Sequence, residues 1–324
     1  MTSDLFIRPR GLDDDPRILD IYHQFETQFV LTLEMLRYHW DERARPEGTE
    51  PAAAVAVRND VVVGMWDMEP SRHSPNTGTF EAFVAVDEAE QGQGVGSKLW
   101  SDLEPLLIEK GARKVYVEIR EDRERPQKFA TVRGFRNTGR ASRMTRLVLS
   151  EVNLEGYEGI EERLAGEGIV IKPMSELDAS DENLMRELHQ AEQDAARDIP
   201  SSEEFHPTPF DLWQQNFMKF PGSSPDAFFV ALHDGHPGGL AMLTVHGDGH
   251  ATNGLTGVVP SLRGRGVAQA LKLRTIIWAR ENGIDHIDTS NDAENAPMLA
   301  INVRLGYEPL PARFEWLKEY SPAT

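Results

Sequence analysis

Arg263-Gly264-Arg265-Gly266-Val267-Ala268 has an earlier counterpart in the same chain, Gln91-Gly92-Gln93-Gly94-Val95-Gly96. One follows the apolar run Val84-Ala85-Val86 and the other follows Val258-Val259. Each opens a stretch of helical periodicity, and each is followed at the same distance by a Gly-aromatic pair, Gly134-Phe135 or Gly306-Tyr307. A strand that runs into Gly-x-Gly and then a helix gathers free backbone N–H groups around one point, where the helix dipole adds positive charge. Phosphate or pyrophosphate is the expected guest. Glycine is needed there because a Cβ would hold the phosphate oxygens off the backbone. One such loop could be a bare turn, but two in matching frameworks read as a duplicated anion-binding module.

The frameworks extend outward from the loops. Residues 6–9 (Phe-Ile-Arg-Pro) echo residues 170–173 (Val-Ile-Lys-Pro), and each precedes an acidic segment with a His-Gln pair, His23-Gln24 or His189-Gln190. Strand-like runs follow at 52–57 and 61–68 in the first half and at 227–232 and 239–245 in the second. Asn59-Asp60 and Asp234-Gly235 supply hairpin-turn chemistry between them. A third run, 80–86 or 253–259, leads into the glycine loop. After the loop the apolar period lengthens to that of a helix, through Leu99, Leu103, Leu106 and Leu107 in one half and Ala268, Leu271, Thr275 and Trp278 in the other. Gly111 and Gly283 suit the left-handed helix cap. Strands at 114–119 and 286–289 come next, and runs at 142–149 and 313–317 are expected to close the respective halves. The expected organisation is a domain over 1–150, an acidic glycine-punctuated linker over 151–168 with one helical turn at 160–164, and a second domain over 169–324.

Composition narrows the partners. The chain has 324 residues, 40% of them apolar, enough for two cores. No apolar run is long enough for a membrane span, and the first residues show no basic-then-apolar leader, so a cytoplasmic protein is expected. With no cysteine, disulfides, thiolate metal sites and thiol nucleophiles are excluded. A net charge of −19 argues against nucleic acid and suits either a cationic amine substrate or a merely solvated surface. His233, His236, His246 and His250 have a superficially zinc-like spacing. They fall on a hairpin and its turns without accompanying ligands, so they read as solvated turn histidines and no metal is expected.

The loops match no familiar nucleotide motif. Neither is followed by Gly-Lys-Ser/Thr, and both are one glycine short of the dinucleotide fingerprint. The pattern Gln/Arg-x-x-Gly-x-Gly/Ala between strand and helix instead resembles the acetyl-CoA pyrophosphate loop of the GNAT superfamily of N-acetyltransferases. Gln91, Gly94 and Gly96 match it in the first half, and Arg263, Gly266 and Ala268 in the second. The resemblance covers nearly the whole chain and implies an α/β (α+β) protein of two GNAT-like domains. Each would have a mixed, mostly antiparallel sheet flanked by helices, with a splayed central parallel pair that receives acetyl-CoA. It also implies a bulged strand in each half, 81–86 and 253–259.

Acetyl transfer to an amine requires an amine stripped of its proton, a polarised thioester carbonyl and a protonated leaving thiolate. The resemblance places the polarising backbone N–H near Val86 or Val259, with Val258 beside it. Asn295 stands where the family has an amide against the cofactor arm, and Asn302 stands where it has a tyrosine acid. An amide is no acid, so Asn302 is left with hydrogen bonding to cofactor or substrate, or with helix packing. In the first half Arg123 and Ala130 hold these two places. Glu81 lies close to where the resemblance sets a base, although a merely exposed strand glutamate is the favoured reading. Its counterpart by count is Asn253. The second half offers no clear base beyond Glu203, Glu204 and His206 in a substrate loop. Arg263 and Arg265 add fixed cations that the glutamines of the first loop lack. The expectation is an acetyl-CoA-dependent N-acetyltransferase acting on a small-molecule amine, with the second half catalytic. A non-catalytic acyl-CoA sensor and a protein N-acetyltransferase are the alternatives.

Overall fold

The computed structural model describes residues 5–25, 30–71 and 77–321. The first part of the chain forms β1 (Phe6–Pro9), α1 (Asp15–Phe25), α2 (Leu33–Arg37), β2 (Ala52–Arg58), β3 (Val61–Pro70), β4 (Thr79–Val86), α3 (Val95–Glu109), β5 (Lys114–Arg120), α4 (Glu124–Thr131) and β6 (Arg136–Val148). Then come α5 (Ile160–Gly166), β7 (Ile169–Pro173), α6 (Glu182–Ala196), α7 (Phe210–Asn216), β8 (Ser223–His233), β9 (His236–Gly247) and β10 (His250–Val258). The chain ends with α8 (Val267–Glu281), β11 (His286–Asp292), α9 (Ala296–Leu305), β12 (Glu308–Pro309) and β13 (Arg313–Glu319). It divides into two compact units, Met1–Ala141 with Ala312–Thr324, and Ser142–Pro311.

In unit 1 the strand order is β1-β2-β3-β4-β5-β13, antiparallel except for the parallel pair β4/β5. Side-chain alternation divides its core into two layers. Phe80, Ala82 and Val115 pack with Leu99, Leu103 and Leu107 of α3. Ala85, Val55, Val57 and Met65 pack with Ile18 and Ile21 of α1 and Leu36 of α2. Unit 2 repeats the plan as β7-β8-β9-β10-β11-β6, with β10/β11 the parallel pair. Ala251, Ile287 and Leu243 pack on Leu273 and Ile276 of α8, and Phe228, Val230 and Leu240 pack on Met185 and Leu188 of α6. The two hairpin turns have the expected left-handed residues, Asn59 (φ 51°) with Asp60 (φ 62°) and Asp234 (φ 51°) with Gly235 (φ 89°).

The closing strands are exchanged relative to the sequence expectation. In unit 1 the outer partner of β5 is β13, with Phe314 opposite Ile119. In unit 2 the outer partner of β11 is residues 142–148 of β6, with Arg146 opposite Asp288. Each run has the alternation of a half-buried strand, which suits either sheet edge, so periodicity alone carries no information about the partner. Residues 151–168 also depart from a plain linker. Leu164 of α5 is 1% exposed against Ile169, Ile171 and Val267. Glu161 accepts from Arg274 Nε at 2.6 Å, and Tyr157 Oη donates to the Arg304 carbonyl at 2.7 Å.

Candidate active site

The two glycine loops adopt the same backbone. Gly92 and Gly94 have φ of 82° and 84°, and Gly264 and Gly266 have 76° and 87°. All four lie in the left-handed region, where a Cβ is strained, and the second glycine of each loop is the N-cap of its helix. The first intrahelical bonds run from Lys98 N to Gly94 O and from Ala270 N to Gly266 O, both 3.0 Å. The amides of residues 95–97 and 267–269 therefore have no acceptor within their helices and are available to an anion at the positive dipole end. Val95 and Val267, each 1% exposed, anchor the first turns.

The side chains around the loops differ from expectation. Arg263 does not present a free cation, because its Nε donates to Val258 O at 2.9 Å and its Nη1 to Asp198 at 2.5 Å. Gln91 makes the same strand-end bond, Nε2 to Val86 O at 3.2 Å. Position 91/263 thus ties the loop to the preceding strand. Arg265 Nη1 lies 3.7 Å from Glu167, and Gln93 donates to Ala89 O at 3.1 Å. Arg163 of α5, absent from the sequence reading, donates to Arg265 O at 2.8 Å and buttresses the second loop. Nor is the first loop poor in cations. Arg125 lies so close to Gly92 that a Cβ there would meet its Nη2 at 2.9 Å. Gly96 is covered by Phe129, 3.1 Å from where a Cβ would sit.

Both parallel pairs separate after three rungs. In unit 1 these are Thr79↔Lys114, Phe80↔Val115 and Glu81↔Tyr116, and in unit 2 His250↔His286, Ala251↔Ile287 and Thr252↔Asp288. Beyond them each pair splays into a V that opens toward its loop. The clefts differ in one respect. The β4 ladder against β3 is regular from Phe80 to Val86, so the bulge expected at 81–86 is absent. In β10 the register slips between Asn253↔Leu243 and Thr256↔Ala241, inserting one residue at the mouth of the V. An inserted residue takes backbone groups out of the ladder and turns them aside. The bulge also changes the alignment of the halves: counting back from the loop pairs Glu81 with Asn253, whereas counting along the rungs pairs it with Thr252. Asn253 is 2% exposed and braces the bulge, donating to Met242 O at 3.1 Å and accepting from Thr256 Oγ1 at 3.0 Å. The expected polarising donor near Val259 is unavailable, because its N–H is bonded to Gly238 O at 3.0 Å. Asp87 N, next to Val86, is bonded likewise to Val63 O at 3.0 Å.

On the α1/α2 face of unit 1, Asp67, Glu69 and Glu81 form an acidic row. Glu69 stands opposite Glu81, and Ser71 Oγ donates to Glu81 at 3.2 Å. His39 Nε2 is 3.7 Å from Glu69. Removal from water, with the Glu69 and Glu81 charges beside it, pushes the Asp67 carboxyl up to about 8.

The matching face of unit 2 carries a row of histidines. His246, His250 and His286 stack with ring centroids 5.0 and 4.5 Å apart. His246 Nε2 shares a hydrogen bond with Thr252 Oγ1 at 2.7 Å, and His250 Nε2 lies 3.2 Å from Asp288 Oδ2. Arg146, delivered by the exchanged strand, donates to both Asp288 oxygens at 2.7 Å. Burial opposes ionisation of Asp288, but the bonds from Arg146 and His250 outweigh it and hold the carboxyl below its usual range. Burial first, then the Arg146 and His250 charges, push His286 down. The solvated-turn reading therefore fits His233 beside Asp234 and His236 beside Glu187, but fails for His250, which is 1% exposed. His286 was outside that reading because its place depends on strand register. Ligand atoms of His250, His286 and Asp288 do lie within 4.8 Å of one another. Yet both Asp288 oxygens serve Arg146, and the two rings stack at 23° rather than converging on a point. The geometry suits proton exchange better than metal chelation.

Asn295 Oδ1 caps α9, accepting from Met298 N at 3.3 Å. Asn302 is 1% exposed and donates through Nδ2 to Asn291 Oδ1 at 2.7 Å, on the splayed part of β11.

A cradle of helix-start amides beside a splayed parallel pair defines a coenzyme A-type acyltransferase fold, and it occurs twice. Residues 16–135 and 185–307 each match the acetyltransferase (GNAT) family, and the chain belongs to that family. Over 263 residues, 81% of this chain and 74% of the relative, it is 27% identical to the mycothiol acetyltransferase of Clavibacter michiganensis subsp. michiganensis. A stretch of 98 residues, 26% of this chain and only 30% of the relative's length, is 32% identical to the mycothiol acetyltransferase of Acidothermus cellulolyticus. A tandem GNAT protein from the clavulanic acid biosynthesis pathway shares the fold with a TM-score of 0.75 at 19% identity, covering 99% of this chain and all (100%) of that one. A GCN5-related N-acetyltransferase from Sphaerobacter thermophilus superposes with a TM-score of 0.70 at 18% identity, over 99% and 97% of the two chains. The chain is thus an N-acetyltransferase of tandem GNAT architecture, and among the described residues no helix is long and apolar enough to cross a membrane.

Proposed function

We propose that this chain transfers the acetyl group of acetyl-CoA to the amine of a small molecule, and that unit 2 is the reacting half. The observation that carries this reading is the one-residue bulge at Asn253–Thr256, which frees backbone groups at the mouth of the unit 2 cleft while the unit 1 strand stays fully laddered. Acetyl-CoA is the donor substrate and supplies the activated acyl carbon. The amides of residues 267–269 would hold its pyrophosphate, and amides released at Gly254 and Leu255 would meet the carbonyl. The acceptor approaches the histidine row, where Asp288 orients His250 and Arg146 fixes Asp288. A histidine so oriented can take the proton that the attacking amine must lose.

Acetyl-CoA with a panel of small amines, including the acceptor of mycothiol acetyltransferases, tests the reading through release of coenzyme A thiol. Thiol release that depends on one amine is the expected result. Coenzyme A binding without thiol release for any amine would favour a sensor, and labelled acetyl appearing only on protein would favour a protein acetyltransferase.

A second reading has its own observation. The acidic row Asp67, Glu69 and Glu81, with Arg125 beside the first loop, suits unit 1 to a cationic ligand and an anionic one. Under this reading unit 1 also binds acetyl-CoA and an amine.

A further inference from the structure

Behind the splayed strands, on the α8 side of unit 2, four buried positions are polar: Lys272, Thr275, Asn302 and Tyr307, each 5% exposed or less. Positions equally far from the two glycine loops place Trp100, Leu103, Ala130 and Phe135 at the matching points of unit 1. Those four form an ordinary apolar filling, with the Trp100 and Phe135 rings edge to face at 5.4 Å. At these four positions of unit 2 three side-chain atoms are buried with no hydrogen-bond partner: Lys272 Nζ, Asn302 Oδ1 and Tyr307 Oη. They belong to one cluster. Lys272 Nζ lies 4.8 Å from the centre of the Tyr307 ring, Tyr307 N donates to Asn302 O at 3.0 Å, and Asn302 reaches Asn291 on splayed β11. Buried polar atoms without partners are costly, and three at one place, opposite an apolar counterpart, mark a place kept for a ligand or a proton.

We propose that Lys272, with Tyr307 and Asn302, forms a buried proton-donating pocket that protonates the departing thiolate of the acetyl donor, in place of the tyrosine the family uses. This inference rests on unit 2 being the reacting half. As the amine nitrogen bonds to the carbonyl carbon, the carbon–sulfur bond breaks. The amine proton leaves toward the histidine row on the opposite face. The Lys272 ammonium gives a proton to sulfur, directly or through the Tyr307 hydroxyl and an ordered water, and regains one from solvent after product release. Burial alone pushes the Lys272 ammonium down from 10.5 to about 7, so it can give up its proton near neutrality. Among the described residues no ion pair to Lys272 offsets that burial. Tyr307 is itself pushed up by burial and by Asp288, whose charge Arg146 holds.

The test uses the full chain with Lys272→Met and Lys272→Gln. The expected result is a loss of about 10²-fold in kcat with KM for acetyl-CoA unchanged, and loss of the fall in kcat as pH rises through neutrality. An acetyl thioester of a more acidic thiol should restore most of the rate. Independently of turnover, a lysine side-chain carbon resonance missing from the Lys272→Met spectrum should titrate near neutral pH in the wild type and shift when coenzyme A is added. A wild-type resonance that titrates in the ordinary lysine range, or ignores coenzyme A, overturns the proposal even if both variants fail to fold, and so does an unchanged kcat. Gly266→Glu separates the two readings. If it abolishes turnover while the Lys272 variants are silent, only the proton pocket fails; if it spares turnover, both fail.

Discussion

The two clefts of this protein share a backbone plan yet differ in their filling. Both have paired left-handed glycines, a helix-start cradle and a parallel pair that splays after its third rung. Unit 1 closes its α3 side with Trp100, Leu103, Ala130 and Phe135 and keeps an unbroken ladder beside the V. Unit 2 accepts buried unpartnered polar atoms, a bulge and a row of stacked histidines. Apolar packing gives stability, whereas orphaned polar groups oppose it. At the four matched positions unit 2 carries the costly polar groups and unit 1 the apolar filling, the asymmetry expected if unit 2 is the reacting half.

The strongest way to break this contrast is charge placed in the cradles. Gly266→Glu puts a carboxylate where the pyrophosphate belongs and should lower amine-dependent thiol release by about 10³-fold or more. Gly94→Glu should remove a coenzyme A equivalent from a binding titration while turnover persists. The reverse pattern would move the chemistry to unit 1. A smaller effect is expected at the histidine row. His250→Gln keeps a hydrogen bond to Asp288 but loses the proton-accepting nitrogen, so kcat should fall about 10²-fold with acetyl-CoA binding intact. Equal losses in binding and rate would indicate a packing role instead.

The smallest effects sharpen the contrast through stability. Asp67 in unit 1 is pushed from 3.8 to about 8, so between those values the fold holds a proton that the unfolded chain has lost. Stability therefore falls as pH rises across that window, and Asp67→Asn should stabilise most above pH 8. Lys272 in unit 2 is pushed from 10.5 to about 7, so there the unfolded chain holds the extra proton and stability rises with pH across the window. Lys272→Met should stabilise most below pH 7. Each gain should be on the order of a few kcal/mol in urea unfolding at pH 6 and pH 9, with opposite pH slopes for the two variants. Matching slopes would refute the assigned burial of one of these groups.

Much of the fold was legible because its signals are local. Asn59-Asp60 and Asp234-Gly235 are turn chemistry wherever they occur, and both form the expected hairpins. Arg263 misled because a cation near a phosphate loop looks like a phosphate ligand, yet its bonds to Val258 O and Asp198 come from elements that only folding brings together. The histidine row was half visible: His246 and His250 stood out by spacing, but His286 and Arg146 join them through cross-strand register. Lys272 lies on a helix whose apolar neighbours give no sign that its ammonium is buried against the Tyr307 ring.

By itself the sequence determined the duplication and the geometry of the two loops, because a left-handed residue before a helix start is a property of glycine and its immediate neighbours. It also determined the order of strands and helices, through periodicities that each segment carries alone. Only the tertiary structure decided which closing strand joins which sheet, that β10 bulges while β4 does not, and that Lys272, Asn302 and Tyr307 are buried near one another. Those outcomes depend on pairings between residues far apart in the chain, where alternation permits several partners and packing selects one.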